Sequence, residues 1–92
     1  MISVEVTGFL TEFTAGERTI VLDGSPATVA EALELLWARH TGLRDRIVTE
    51  RGSVRPHVGI FVNGAPIRHR QDLQTPIGHG DEITILPAIS GG

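Results

Sequence analysis

The sequence contains no cysteine, which removes disulfides, thiolate metal ligands and cysteine nucleophiles together. It has no lysine either: all eight basic side chains are arginine, so the chain offers no side-chain amine for conjugation to itself. Aromatic residues are scarce, three phenylalanines and one tryptophan, and three of the four fit a core or a turn. The longest strictly apolar run is four residues, Leu35 to Ala38, far short of the roughly 20 needed to span a bilayer. The opening Met1-Ile2-Ser3-Val4-Glu5 has no basic segment leading into an apolar one, so no secretory signal is expected and the chain reads as cytoplasmic. The histidines His40, His57, His69 and His79 share no helical i, i+3 or i, i+4 spacing. A zinc site needs convergent ligands, and no metal role is expected.

What remains is 92 residues with 40% hydrophobic content and 11 glycines, an ordinary globular mix that suits one small domain. Without staples, such a domain depends on a well-packed core. The net charge of −3 is unevenly placed. Residues 39–70 hold Arg39, Arg44, Arg46, Arg51, Arg55, Arg68 and Arg70 against only Asp45 and Glu50, giving that stretch +5 and the rest −8. This suits either an anionic partner or a solvated loop. No binding motif or set of stacking aromatics accompanies it, so nucleic acid is not expected.

Ile2-Ser3-Val4-Glu5-Val6-Thr7 alternates apolar and polar residues, the period of a half-buried strand. Gly8 to Gly16 interrupts it, with Phe9, Leu10 and Phe13 around a turn. Thr19-Ile20-Val21-Leu22 then forms a second strand, stopped by Asp23-Gly24-Ser25-Pro26, close enough for an antiparallel hairpin. Thr28-Val29-Ala30-Glu31 has the form of a capping box. Val29, Leu33, Leu36 and Trp37 share one helical face, Arg39 and His40 suit the helix end, and Gly42 is the expected stop.

The charged stretch 43–57 reads as a connection around a short helical turn. His57 to Val62 reads as a strand, with Val58, Ile60 and Val62 on one face and Gly59 and Phe61 on the other. Asn63-Gly64 signals a tight turn into a short edge strand with Pro66 and Ile67. Further turns fall at 72–77 and 78–81, and Ile83-Thr84-Ile85-Leu86 is the last strand, ended by Pro87. The order predicts an α+β domain of the β-grasp type, a mixed sheet packed on one main helix. The expected core is Val4, Val6, Ile20, Leu22, Val58, Ile60, Val62, Ile83 and Ile85 against Leu33, Leu36 and Trp37.

No side-chain constellation has catalytic form. There is no supported Ser/His/Asp set, no phosphate-cradling glycine loop and no helix with paired carboxylates. The unusual feature is Gly91-Gly92. Glycine lacks Cβ, so this pair can lie extended in a channel too narrow for other residues, where an enzyme closing over it would reach the terminal carboxylate. Carboxylate oxygen is a poor leaving group, so reaction there requires an acyl phosphate or adenylate. Such a chain is a substrate that presents its own end. The bland alternative is a frayed terminus without a role.

With Ile60-Phe61-Val62-Asn63-Gly64, Gly78-His79-Gly80-Asp81-Glu82-Ile83, and Leu86-Pro87-Ala88 before Gly91-Gly92, the chain resembles the MoaD/ThiS sulfur-carrier proteins. The resemblance covers essentially the whole chain, and the final segment is its specific part. It implies a ubiquitin-like β-grasp domain over 1–87 and a flexible diglycine tail over 88–92. It also implies an E1-like adenylyltransferase that activates the Gly92 carboxylate with ATP and magnesium, both bound by that enzyme and not by this protein. A sulfur donor then makes the thiocarboxylate, and a sulfur-acceptor biosynthetic enzyme receives the sulfur. No membrane partner is implied.

Gly91 and Gly92 are then the reactive end. Phe61 and Leu86 have the opposite parity to the core residues of their strands and are expected to face outward. With Pro87, Ala88, Ile89 and Ser90 they form the expected partner-binding set. Parity leaves open whether the 8–16 or 64–78 segments cover Phe61 and Leu86. The ending and the long 43–57 connection most resemble carriers that feed a cysteine synthase. The small subunit of molybdopterin synthase shares the fold and the diglycine. Carriers for thiazole or tRNA thiolation, or for sulfur-containing secondary metabolites, and conjugation to lysines also stay open. So does a different class, a β-grasp interaction or nucleic-acid-binding module with an incidental diglycine.

Overall fold

The computed structural model describes residues 1–87. Its strands are β1 (Ile2–Val6), β2 (Thr19–Leu22), β3 (Gly59–Val62), β4 (Ala65–Pro66) and β5 (Glu82–Leu86), joined in one sheet in the order β2-β1-β5-β3-β4. β1 and β5 run parallel at the centre, and every other pairing is antiparallel. Parallel neighbours cannot be joined by a tight turn. The chain therefore crosses the sheet through helix α1 (Val29–Arg39) and the short helix α2 (Arg44–Ile47). The result is the ubiquitin-like β-grasp expected from the order of elements.

Alternation sets the faces. β1 buries Ile2, Val4 and Val6 while Ser3 and Glu5 stay half-buried on the other side. Ile20, Leu22, Ile60, Val62, Ile83 and Ile85 join them against Val29, Ala32, Leu33 and Leu36 of α1. Each such side chain contributes about 1.5–3 kcal/mol by leaving water. Register is fixed by the same pattern, because a one-residue slip would turn every one of these groups into solvent.

α1 starts as predicted, with one difference. The Glu31 amide donates to Thr28 Oγ1 at 3.2 Å, while the Glu31 carboxylate accepts from the Ala27 amide at 3.1 Å, one residue before the cap. Thr28→Ala removes the cap and is expected to cost about 1 kcal/mol. Urea midpoints of the two proteins test this, and unchanged midpoints would show that water replaces the hydroxyl. At the other end Arg39 Nη1 donates to Val21 O at 2.6 Å, which occupies an outward carbonyl of edge strand β2 and blunts that edge against strand addition.

Several expectations change. Trp37 is only half-buried and packs at the core's margin, and no aromatic side chain among the described residues is fully buried. Leu10, Leu43, Ile47, Val48 and Ile67 fill the interior instead. α1 ends at Arg39 with His40 as its C-cap, and Gly42 is not left-handed. The missing Cβ of Gly42 matters differently, since a Cβ there would lie 3.3 Å from Phe13 Cδ1. β3 starts at Gly59 because Pro56 and His57 lie in a turn, and Ile67 opens a 3-10 turn instead of extending β4.

Candidate functional site

Pro87 follows β5 and is buried. Its ring lies against Gly8, where an added Cβ would stand 3.0 Å from Pro87 Cγ. Gly8 has φ +62, the left-handed region that glycine enters without steric cost. It opens the 3-10 turn Gly8–Phe13, and just before it Thr7 Oγ1 donates to Ile85 O at 3.3 Å. These contacts grip the end of β5 and fix where the chain leaves the sheet. Pro87 is thus a buried anchor and not part of an exposed docking set. Ala88, Ile89, Ser90, Gly91 and Gly92 lie outside the described residues.

The sheet face away from α1 is open. Register places Thr19, Glu5, Thr84, Phe61 and Pro66 in one row across all five strands, with Val21, Ser3 and Glu82 in another. Phe61 and Leu86 both point to this face and are half-buried. They are diagonal neighbours, close enough for large side chains to cooperate. Leu86 stands opposite Gly59, whose lack of a side chain leaves it over bare backbone. The 64–78 segment covers part of Phe61, which shares a small cleft with Pro66 and Arg68. Phe9 is 45% exposed one residue beyond Gly8. Sequence reasoning placed Phe9 in a turn and missed its exposure, because no periodicity operates in a 3-10 turn. The apolar part of the face thus adjoins the exit of the chain, and Glu5 and Glu82 lie farther along it.

The opposite end of β5 is held by a polar clasp. Asn63 Nδ2 donates to Asp81 Oδ1 at 2.9 Å, the Gly78 amide donates to Asp81 Oδ2 at 2.8 Å, and Asn63 Oδ1 accepts from the Glu82 amide at 3.0 Å. Asn63 and Gly64 both have positive φ, 50 and 87, as the predicted Asn-Gly turn requires. The Asn63 side chain first, then the Gly78 amide and the charge of Arg70, hold the Asp81 carboxyl below its usual value. A carboxyl with a depressed folded-state pKa stabilises fully above its unfolded-state pKa, near 4. That contribution disappears as pH falls through the folded value. Asp81→Asn is therefore expected to be slightly less stable at neutral pH, and the gap should narrow below about pH 4. Urea midpoints across the acid range check it; a gap of constant size would mean the charge is irrelevant.

A mixed five-stranded sheet on one main helix, with an open apolar face beside the anchored Pro87, is the architecture of the ubiquitin-like carriers and modifiers. The family model for ThiS matches residues 4–92, and the chain belongs to the ThiS family. It is 30% identical over 93 residues to the sulfur carrier protein CysO of Mycobacterium tuberculosis, covering 99% of this chain and 98% of that protein. It is 36% identical over 66 residues to small archaeal modifier protein 3 of Haloferax volcanii, covering 72% of this chain and 71% of the relative. In the crystal structure of the Amycolatopsis orientalis BexX/CysO complex, one chain superposes with a TM-score of 0.88 at 32% identity, each chain covered in full. The protein is a sulfur carrier of this type and not a catalyst. Among the described residues no helix is long and apolar enough to cross a membrane.

Proposed function

We propose that the chain carries sulfur as a thiocarboxylate on Gly92 and delivers it in cysteine formation. The end-to-end likeness to CysO carries this reading, at 30% identity over 99% of the chain, with the family match reaching residue 92. A Gly92 carboxylate oxygen attacks the α-phosphorus of ATP and pyrophosphate leaves, giving the acyl adenylate. Sulfide, or a sulfur donor of equal oxidation state, attacks the acyl carbon and AMP leaves. The resulting sulfur is nucleophilic and displaces a leaving group from an electrophilic carbon of the acceptor enzyme's substrate, after which hydrolysis of the acyl–sulfur bond releases the product thiol and restores the carboxylate. ATP and magnesium belong to an E1-like activating enzyme. Phe61 and Leu86 supply its docking face beside the anchored Pro87, and a sulfur-acceptor enzyme uses the same end.

The test incubates the full chain with the E1-like enzyme of its own source, ATP, magnesium and sulfide, followed by intact mass spectrometry. The expected result is the mass gain of one sulfur replacing one oxygen, mapped to Gly92 by fragmentation, with cysteine formed on adding the cognate cysteine synthase. No gain at Gly92 would end the proposal; a gain without cysteine would keep the carrier and remove the cysteine branch. The modifier relative supports a second reading, an amide bond from Gly92 to amines of other proteins, which the same digest reports as Gly-Gly remnants on lysine.

A further inference from the structure

The five strands contain two charged residues, Glu5 and Glu82, and no basic one. Glu5 alternates with buried Val4 and Val6, and Glu82 precedes buried Ile83, so both point to the open face away from α1. They lie on the parallel pair at the centre of the sheet, where Glu82 stands opposite Ser3 and Glu5 opposite Thr84. That register makes the two carboxylates diagonal neighbours on one surface. Among the described residues neither is ion-paired; the pairs formed are His40 with Glu17 and Arg44 with Asp45.

The arginines of this chain are engaged elsewhere. Arg39 donates to Val21 O at the β2 edge, Arg46 lies over the Phe13 ring and Arg55 donates to Asp45 O. The charge of Arg70 acts on Asp81. Arg68 lines the cleft at the β4 edge, two strands from β5 and three from β1. Glu5 is half-buried at mid-sheet and so holds a partly desolvated charge with no cation against it. Like charges set side by side give the fold nothing. What they create is a negative potential on the same face as Phe61 and Leu86, continuous with that apolar patch.

The sign of this potential selects the occupant. A second copy of the face would set glutamate against glutamate, and a nucleic acid or an anionic membrane would be repelled. We propose that Glu5 and Glu82 are specificity-determining residues for the activating enzyme, pairing with two basic side chains of its docking surface while Phe61 and Leu86 bury the adjacent apolar part. This rests on the carrier reading and adds the chemistry of the partner: apolar beside Pro87, cationic farther back along β1 and β5. The two glutamates guide approach and register and take no part in the reaction at Gly92.

The test measures association of the full chain with the E1-like enzyme of its own source by stopped flow without ATP, and then loading with ATP, magnesium and sulfide. Reversing both charges, Glu5→Arg with Glu82→Arg, is expected to lower the association rate at least about tenfold at low salt and to raise KM with kcat unchanged. The difference should shrink in ~1 M salt, where the screening length falls to about 3 Å. Glu34→Arg makes the same charge change on an exposed position of α1 and should associate like the parent. Glu5→Gln and Glu82→Gln should keep or raise the urea midpoint while slowing association, which glutamates kept only for the fold would not do. Glu82 is exposed, so Glu82→Arg alone carries the test if Glu5→Arg fails to fold. Equal association rates for the parent and the reversed chain, or equal slowing by Glu34→Arg, would overturn the proposal. A parent that binds the enzyme but gains no sulfur would instead end the carrier reading, with the association rates still deciding this one.

Discussion

A chain shortened by Gly92 is expected to fold as before and to lose sulfur loading entirely. The buried core runs from Ile2 to Ile85, so the deletion removes none of it. What changes is reach: one residue fewer retracts the carboxylate by about 3.5 Å. A misplacement of ~1 Å at a reacting centre already costs up to about a hundredfold, and the retracted group no longer meets ATP. Gly92→Ala separates the two requirements, because it keeps the length and adds a Cβ that a channel shaped for glycine must exclude. Circular dichroism and urea midpoints should match the parent for both variants, while pyrophosphate release on activation falls to background for the deletion and steeply for the alanine. A deletion that still gains sulfur would remove Gly92 as the reactive group and favour an interaction module whose diglycine is incidental.

The regular elements were readable because each obeys one period. β1, β2 and β5 alternate strictly, α1 announces its start with Thr28 and Glu31, and Asn63-Gly64 takes the two positive φ angles that its residue types favour. Leu10, Leu43, Ile47, Val48 and Ile67 were not readable as core, since they sit in 3-10 turns and the 43–57 connection where no period marks a buried side. Surrounding arginines made that connection look solvated, yet it lends three side chains to the interior. Trp37 shows the reverse error. Its helical phase is right for the core, but aliphatic groups already fill the centre and the indole is left at the margin beside a cleft. At the candidate site, parity alone found the outward direction of Phe61 and Leu86. It could not find the grip of Gly8 on Pro87, because the two are far apart in sequence and their contact depends on how a 3-10 turn folds back on β5.

That grip leads to the second large effect. Gly8→Ala is expected to cost more than a left-handed alanine elsewhere in this chain and to slow activation with far less effect on docking. Gly16 provides the comparison, having φ +85 and nothing within 4 Å of an added Cβ, whereas at Gly8 the new atom meets Pro87 Cγ at 3.0 Å. Both alanines pay about 1–2 kcal/mol for the backbone conformation. Only the one at position 8 must also push a buried, rigid ring, adding about 1 kcal/mol of overpacking. The ring cannot yield alone, because it is bonded to Leu86 at the end of β5, so the root of the following segment shifts by tenths of an ångström. If the activating enzyme holds the following segment extended in its channel, a moved root displaces the Gly92 carboxylate at the reacting centre. The expected result is kcat lowered about tenfold or more, with a much smaller change in KM, because Phe61 lies on β3 away from Gly8 and Leu86 moves by only tenths of an ångström. Gly16→Ala should be loaded at the parental rate despite its own loss of stability. Equal urea midpoints and equal loading for the two alanines would show that the Gly8–Pro87 contact merely fills space; a slower Gly8→Ala alone would make Gly8 a positioning residue for a reaction that takes place at the far end of the chain.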